Sequence, residues 1–223
     1  GYFAGMLFNP NNVTAEAAPI TVELELEVGR MVAAMLGFNS KRAWAHITSG
    51  GTVANLEALW VARTVQFVPL MVQEFCAKRE VPFLIQRANG TLAPIQELST
   101  AELVALRPSE AILMWRKLAR FMTDQQRLPV QQVLSQINDH VAASDYNISQ
   151  RGLPAVLNRV GLQPVIFVSA AAHYSIVKTA NILGYGEVAV RSVPVSLRFQ
   201  LNMAELRRML HELKENEYVA AVV

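Results

Sequence analysis

An α/β fold built on a mostly parallel sheet is predicted by three observations in the sequence. From Pro164 onward short apolar runs alternate with helical stripes, so that 165–168, 188–193 and 219–223 read as strands and 174–183 as a helix. Met203, Leu206, Leu210 and Leu213 form a second helical stripe, with Asn202 and Glu205 placed as a cap pair. Strands that alternate with helices in this way imply parallel β-α-β units, whose ligands bind beyond the carboxyl ends of the strands. The third observation is the small-residue loop Ser49-Gly50-Gly51-Thr52, which runs straight into a helix with Val53, Leu56, Leu59 and Trp60 at helical spacing.

Composition narrows the class. The chain has 223 residues, 52% of them hydrophobic, enough for a sizeable core, and its formal charge is +2 with 17% charged residues. Acidic and basic residues are mixed, and no basic run interleaved with aromatics points to nucleic acid. Cys76 is the only cysteine, which rules out an intramolecular disulfide and fits a reducing, cytoplasmic setting. No stretch has the length of a membrane span, and no secretory signal layout opens the chain. The chain starts without methionine and stops inside a strand-like run, so it reads as part of a larger protein.

In chain order, residues 1–21 are rich in Asn, Pro and Gly and read as an extended arm. A helix follows, with Leu24, Val28, Met31, Val32, Met35 and Leu36 on one apolar face, Glu23, Glu25 and Glu27 at its start, and Gly37 as its stop. Those carboxylates read as solvating and capping groups, because i and i+2 do not face each other on a helix. The stretch 77–163 reads as mostly helical: Pro129 opens a helix carrying Val130, Val133, Leu134, Ile137 and Val141, and Ser99 with Glu102 has capping-box spacing. Trp115, Arg116, Lys117 and Arg120 read as an amphipathic helix with a solvated face. The organisation expected is an arm and helix at 1–40, a loop and helix at 41–76, a helical insertion at 77–163 and a β-α-β portion at 164–223.

Candidate chemistry begins at the loop. Ser49, Gly50, Gly51 and Thr52 offer unpaired backbone N–H groups and two hydroxyls at a helix start, where the dipole also favours an anion. The same pattern serves as a plain helix start, so a phosphate cradle and a simple cap both remain open at this point. None of the four histidines has metal-ligand spacing, and Ser49 and Ser175 lie outside any Gly-x-Ser-x-Gly elbow. A lone histidine after a strand, such as His173, is in most proteins a hydrogen-bonded structural residue.

Taken together, several blocks resemble a known family. Thr48-Ser-Gly-Gly-Thr-Val-Ala-Asn55 with Ala62-Arg63, then His173-Tyr-Ser175 with Lys178, resembles the group II pyridoxal-phosphate-dependent amino-acid decarboxylases. Asn9-Pro10-Asn11-Asn12-Val13 and the segment from Ala18 to Glu25 fit the same family, with wording similar to bacterial tyrosine decarboxylases. The resemblance covers residues 1–75 and 163–223. It implies a partial fold-type I large domain with an N-terminal arm and a helical insertion. It also implies pyridoxal 5'-phosphate as cofactor, held by Ser49, Gly50, Gly51 and Thr52, with His173 stacked on its ring and assisting proton transfer. Phe8 and Asn9 fall where relatives place a substrate-pocket segment. The implied substrate is an amino acid, most simply tyrosine, and the implied assembly is a homodimer. Glutamate decarboxylase, another fold-type I lyase, and a non-catalytic scaffold stand as alternatives. The relatives' cofactor-carrying lysine and the aspartate opposite the pyridine nitrogen correspond to no position up to Val223, so the chain by itself is expected to be inactive.

Overall fold

A computed structural model describes Phe3, Asn12, residues 14–87 and residues 89–223; Phe8 and Asn9 lie outside the described residues. The chain divides into two compact units, residues 1–51 and 52–223.

In the first unit, helix α1 (Pro19–Met35) begins with proline at its first position, where a missing N–H costs nothing. Its start therefore lies upstream of Glu23, Glu25 and Glu27, and the first turn holds no acidic residue, so the expected dipole role of these carboxylates is not met. Glu25 does something else. Its carboxylate accepts from Ile47 N at 2.5 Å and from Asn12 Nδ2 at 2.8 Å, which pins the segment after the helix back onto it. Those bonds, the backbone one first, hold the Glu25 carboxyl below the ordinary carboxylate value. Close approach also depends on Gly29, where a Cβ would lie 3.1 Å from the Ala45 side chain and carbonyl. The expected apolar face is a second correction: Leu24, Val28, Met31, Val32, Met35 and Leu36 are exposed, and the helix buries Gly29 and Ala33. Small residues, not the large apolar stripe, face the neighbouring backbone.

The second unit carries helix α2 (Gly51–Gln66) onward, followed by α3 (Val68–Lys78). Next come a two-stranded antiparallel hairpin of β1 (Leu84–Gln86) and β2 (Leu92–Pro94), α4 (Thr100–Val104), α5 (Pro108–Gln125) and α6 (Val130–Ala143). Two short helices, α7 (Ile148–Arg151) and α8 (Leu153–Val160), lead into the sheet region: β3 (Gln163–Ser169), α9 (Ser175–Ile182), β4 (Val190–Val193), α10 (Met203–His211) and β5 (Glu217–Val222). Capping follows the sequence. Ser99 and Glu102 form a reciprocal capping box, and Asn202 Oδ1 accepts from the amides of Ala204 and Glu205. On α5, Ala111, Met114, Leu118 and Met122 form the buried stripe, while Arg116, Lys117 and Arg120 stay in solvent.

Sheet order is β4-β3-β5 with both pairings parallel. β3 is apolar on both sides because both are covered, as a parallel strand requires. Ile166 and Val168 join the main core with Ile176 and Ala180 of α9, and with Phe67, Leu70 and Phe75 around α3. Val165 and Phe167 pack on the opposite side with Val193 and Leu206 of α10. The main core also takes in Leu103, Leu118, Val133 and Leu153, so segments 77–163 and 164–223 share one interior.

That interior contains a polar cluster around His140. His140 is 6% exposed, and its Nε2 lies 2.9 Å from Met71 O and 3.4 Å from Glu74 Oε2. Lys78 Nζ and Ser144 Oγ donate to the same carboxylate at 2.8 and 2.7 Å. Burial raises the Glu74 pKa, but Lys78 and Ser144 outweigh it and hold the carboxyl below its ordinary value. Burial pushes His140 below 6.5, outweighing the Met71 carbonyl and Glu74, and Lys78 and Arg79 push the same way. The unfolded chain takes up this proton at its ordinary 6.5 while the folded chain resists it, so stability is present above 6.5 and lost as pH falls through the lowered value. Urea midpoints should fall over that interval in the wild type, and His140→Gln should flatten the slope. An identical slope in the variant would sink this assignment.

Candidate functional site

The site is built at the two places the sequence singled out. The first is the start of α2. Gly50 has φ +123°, which L side chains rarely adopt, and this turns the chain into the helix. Thr48 Oγ1 donates to Gly50 O at 3.1 Å and steadies the turn. A Cβ placed on Gly50 or Gly51 would meet nothing within 4 Å, so the space in front of both residues is open. The amides of Gly51 and Thr52 are the first of the helix and have no intrahelical acceptor. Ser49, Gly50 and Gly51 are exposed and Thr52 is half-buried. Gly51 closes the first unit and Thr52 opens the second. Beneath the cradle, support is thinner than the periodicity predicts: of Val53, Leu56, Leu59 and Trp60, Leu59 alone is buried and Trp60 is 51% exposed.

The second place is the loop that leaves β3. This strand is central, and the chain passes from it to β4 on one side and then back to β5 on the other, so its carboxyl end is a topological switch point. His173 follows that end directly and is exposed. It lines a cleft of about 360 Å³ with Ser169, Ala170, Tyr174, Glu187 and Ser192. Ser175 N donates to His173 Nδ1 at 3.2 Å, which makes Nδ1 the acceptor of a neutral ring and leaves the proton on Nε2. The Tyr174 ring lies against the imidazole, centroids 4.3 Å apart and tilted by 42°.

Within the second unit, α2 is tied to the segment that follows His173. Asn55, one turn along α2 from Thr52, donates through Nδ2 to Ser175 Oγ at 2.8 Å. Further along the same helix, Arg63 Nη1 donates to Leu183 O at 2.6 Å, which fastens the last turn of α2 to the end of α9. Both side chains stood in the sequence blocks that carry the resemblance, but neither had a role there. The signal was present as a polar residue three positions after Thr52, on the side of the helix that packs.

Other candidates fall away. His46 stacks near Trp44 in the first unit, His140 belongs to the buried cluster and His211 is exposed on α10. Among the described residues no group of three or more His, Cys, Asp or Glu is placed to hold a metal. Nor is any helix among them long and apolar enough to cross a membrane. A larger, mostly apolar cavity of about 770 Å³ runs along the outer edge of β5, between Val61, Val65, Ala105, Ile112 and Val219. It contains neither Thr52 nor His173, and size alone does not make it the site of chemistry. Cys76 is buried and burial pushes its thiol up to about 12, so it is no nucleophile at neutral pH.

No family model matches the chain. Three characterised proteins align with nearly all of it. It is 27% identical over 216 residues to an L-tyrosine decarboxylase of Enterococcus faecium, covering 97% of this chain and 29% of that protein. An L-tyrosine decarboxylase of Enterococcus faecalis is 28% identical over the same share of this chain and 28% of its own length. That of Levilactobacillus brevis is 26% identical, over 95% of this chain and 27% of the relative. The chain thus spans less than a third of the length of these relatives. Among solved structures, mouse CSAD in its apo form superposes with a TM-score of 0.50 at 20% identity, over 99% of this chain and 29% of the other. That likeness extends to the fold, a partial α/β unit in which helices cover a parallel sheet.

Proposed function

From the premise that this chain is a partial relative of the group II pyridoxal-phosphate-dependent amino-acid decarboxylases, we propose that it provides the phosphate cradle and the ring-contact histidine of such an enzyme. The substrate in this reading is an L-amino acid with an aromatic side chain, tyrosine first, and the complete protein works as a cytoplasmic homodimer. The observation that carries the reading is the alignment of 95–97% of the chain with L-tyrosine decarboxylases. Its physical support is the tie from α2 to the His173 loop through Asn55 and Ser175.

The residues present fit the cofactor's phosphate. In this reading the start of α2, where the first amides lack intrahelical acceptors, and the Thr52 hydroxyl would receive the phosphate, with Gly50 and Gly51 carrying no side chain that would obstruct it. Bound pyridoxal phosphate supplies the electron sink that decarboxylation of an amino acid needs. The chain's own residues then do three things. The amides of Gly51 and Thr52 and the hydroxyls of Ser49 and Thr52 bind phosphate. His173 lies against the ring and presents Nε2–H, the proton its geometry leaves available. The small residues Ala170, Ala171 and Ala172 leave room at the carboxyl end of β3. Phe8 and Asn9 complete this reading as substrate-pocket residues.

Two measurements test it. Assaying the complete gene product with tyrosine, glutamate and related amino acids should give amine from tyrosine; amine from glutamate alone would redirect the reading to glutamate decarboxylase. Replacing Thr52→Val in that protein removes a hydroxyl and should weaken cofactor retention by about 1–3 kcal/mol. Unchanged retention would count against the cradle.

A further inference from the structure

Half-buried Asn55 and buried Ser175 link α2 to the exposed His173. Asn55 Nδ2 donates to Ser175 Oγ at 2.8 Å, and Ser175 N donates in turn to His173 Nδ1 at 3.2 Å. Ser175 is 1% exposed, so its hydroxyl is partnered by Asn55 and not by bulk water. The three residues lie in one compact unit. His173 itself is exposed, and nothing in its own loop apart from Ser175 N and the tilted Tyr174 ring restrains the imidazole. The ring's orientation and its proton therefore depend on where Ser175 is held. Ser175 is the first residue of α9, and Asn55 is the side chain from another helix that anchors it.

We propose that Asn55 is a positioning residue that, through Ser175, locks His173 as the Nε2–H tautomer with Nε2 turned outward from the end of β3. Its meaning for function rests on the reading of His173 as the residue against the cofactor ring. In that setting Asn55 keeps one face and one proton of the imidazole on offer, and the ring does not have to be ordered when the cofactor arrives. Thr52 and Asn55 share the first turns of α2, so the helix that offers a hydroxyl to the phosphate also sets the histidine.

The test reads the proton directly and needs no cofactor. In the full 223-residue chain, with ¹⁵N in the histidine rings, two-bond ¹H–¹⁵N spectra at about pH 9 report which nitrogen of each neutral imidazole is protonated. Wild-type His173 should show protonated Nε2 and bare Nδ1. Asn55→Ala should lower the ratio of that tautomer to its alternative by roughly 2- to 12-fold, the change one net hydrogen bond carries. Asn55→Asp should restore the ratio, because the Ser175 hydroxyl can turn and donate to a carboxylate. A folded Asn55→Ala chain with the wild-type ratio overturns the proposal, as does an Asn55→Asp chain that fails like the alanine variant. Should Asn55→Ala not fold, Ser175→Ala removes the anchor and keeps the N–H, and the same loss is expected; an unchanged ratio there overturns the proposal too. Titrating the complete gene product with pyridoxal phosphate separates the two readings. Absence of binding by the complete gene product sinks the cofactor assignment, whereas the tautomer ratios in this chain still decide the role of Asn55.

Discussion

Tyrosine offered to the 223-residue chain with pyridoxal phosphate is expected to give no amine, and borohydride is expected to fix no cofactor on the protein. The reason lies in the lysines. A lysine that carries an aldehyde cofactor has to be desolvated or set beside another cation so that its amine is free to attack. The chain has Lys41, Lys78, Lys117, Lys178 and Lys214, and all five lie exposed. Lys78 and Lys117 are also paired with Glu74 and Glu110, so neither is desolvated or set beside another cation. Lys178, nearest in sequence to His173, is exposed on α9. Phosphate contacts alone would hold the cofactor loosely. Product detection by mass spectrometry, with borohydride reduction and peptide mapping, checks both halves. A stable adduct on Lys178 accompanied by turnover would overturn the expectation and make Lys178 the carrier.

Phe167→Ala is expected to cost about 3–5 kcal/mol of stability, a large share of the roughly 5–15 kcal/mol that a domain possesses. Phe167 is fully buried, and its ring fills the space between the sheet and α10 with Val165, Val193 and Leu206. That second core is small, so its lining has few other apolar side chains with which to close the gap. The residue also sits in register with Arg191 of β4 and Val222 of β5, and a shift there moves the whole carboxyl end of β3. Urea unfolding of wild type and variant measures the loss. A change below about 1 kcal/mol would mean that α10 does not cover this face as described, and Phe167→Leu, which removes less volume, should cost clearly less than the alanine change.

Much of the second unit was legible residue by residue. Strands around 165–168, 188–193 and 219–223, the helix halted at Gly184 and the Ser99–Glu102 box all rest on local patterns, and the structure reproduces each within a few residues. The parallel order followed from alternation of strand and helix, and β3 is apolar on successive residues because both its faces are covered. The hairpin of β1 and β2 was missed. Its strands are three residues long, too short for alternation to register, although Asn89-Gly90 is a turn pair.

What the sequence by itself determined is the set of local elements, their caps, the small-residue helix start at Ser49–Thr52 and a histidine just past the central strand. Spacing along a chain encodes which face of an element is apolar and where it begins. It does not encode what that face meets. Tertiary structure alone decided that the apolar stripe of α1 lies exposed while Gly29 and Ala33 are covered. It alone placed His140 in a buried cluster with Glu74, 66 positions away in sequence, and brought Asn55 to Ser175 across 120 positions. Hydrogen bonds between distant side chains depend on the packing of whole helices, so they become readable once those helices are docked.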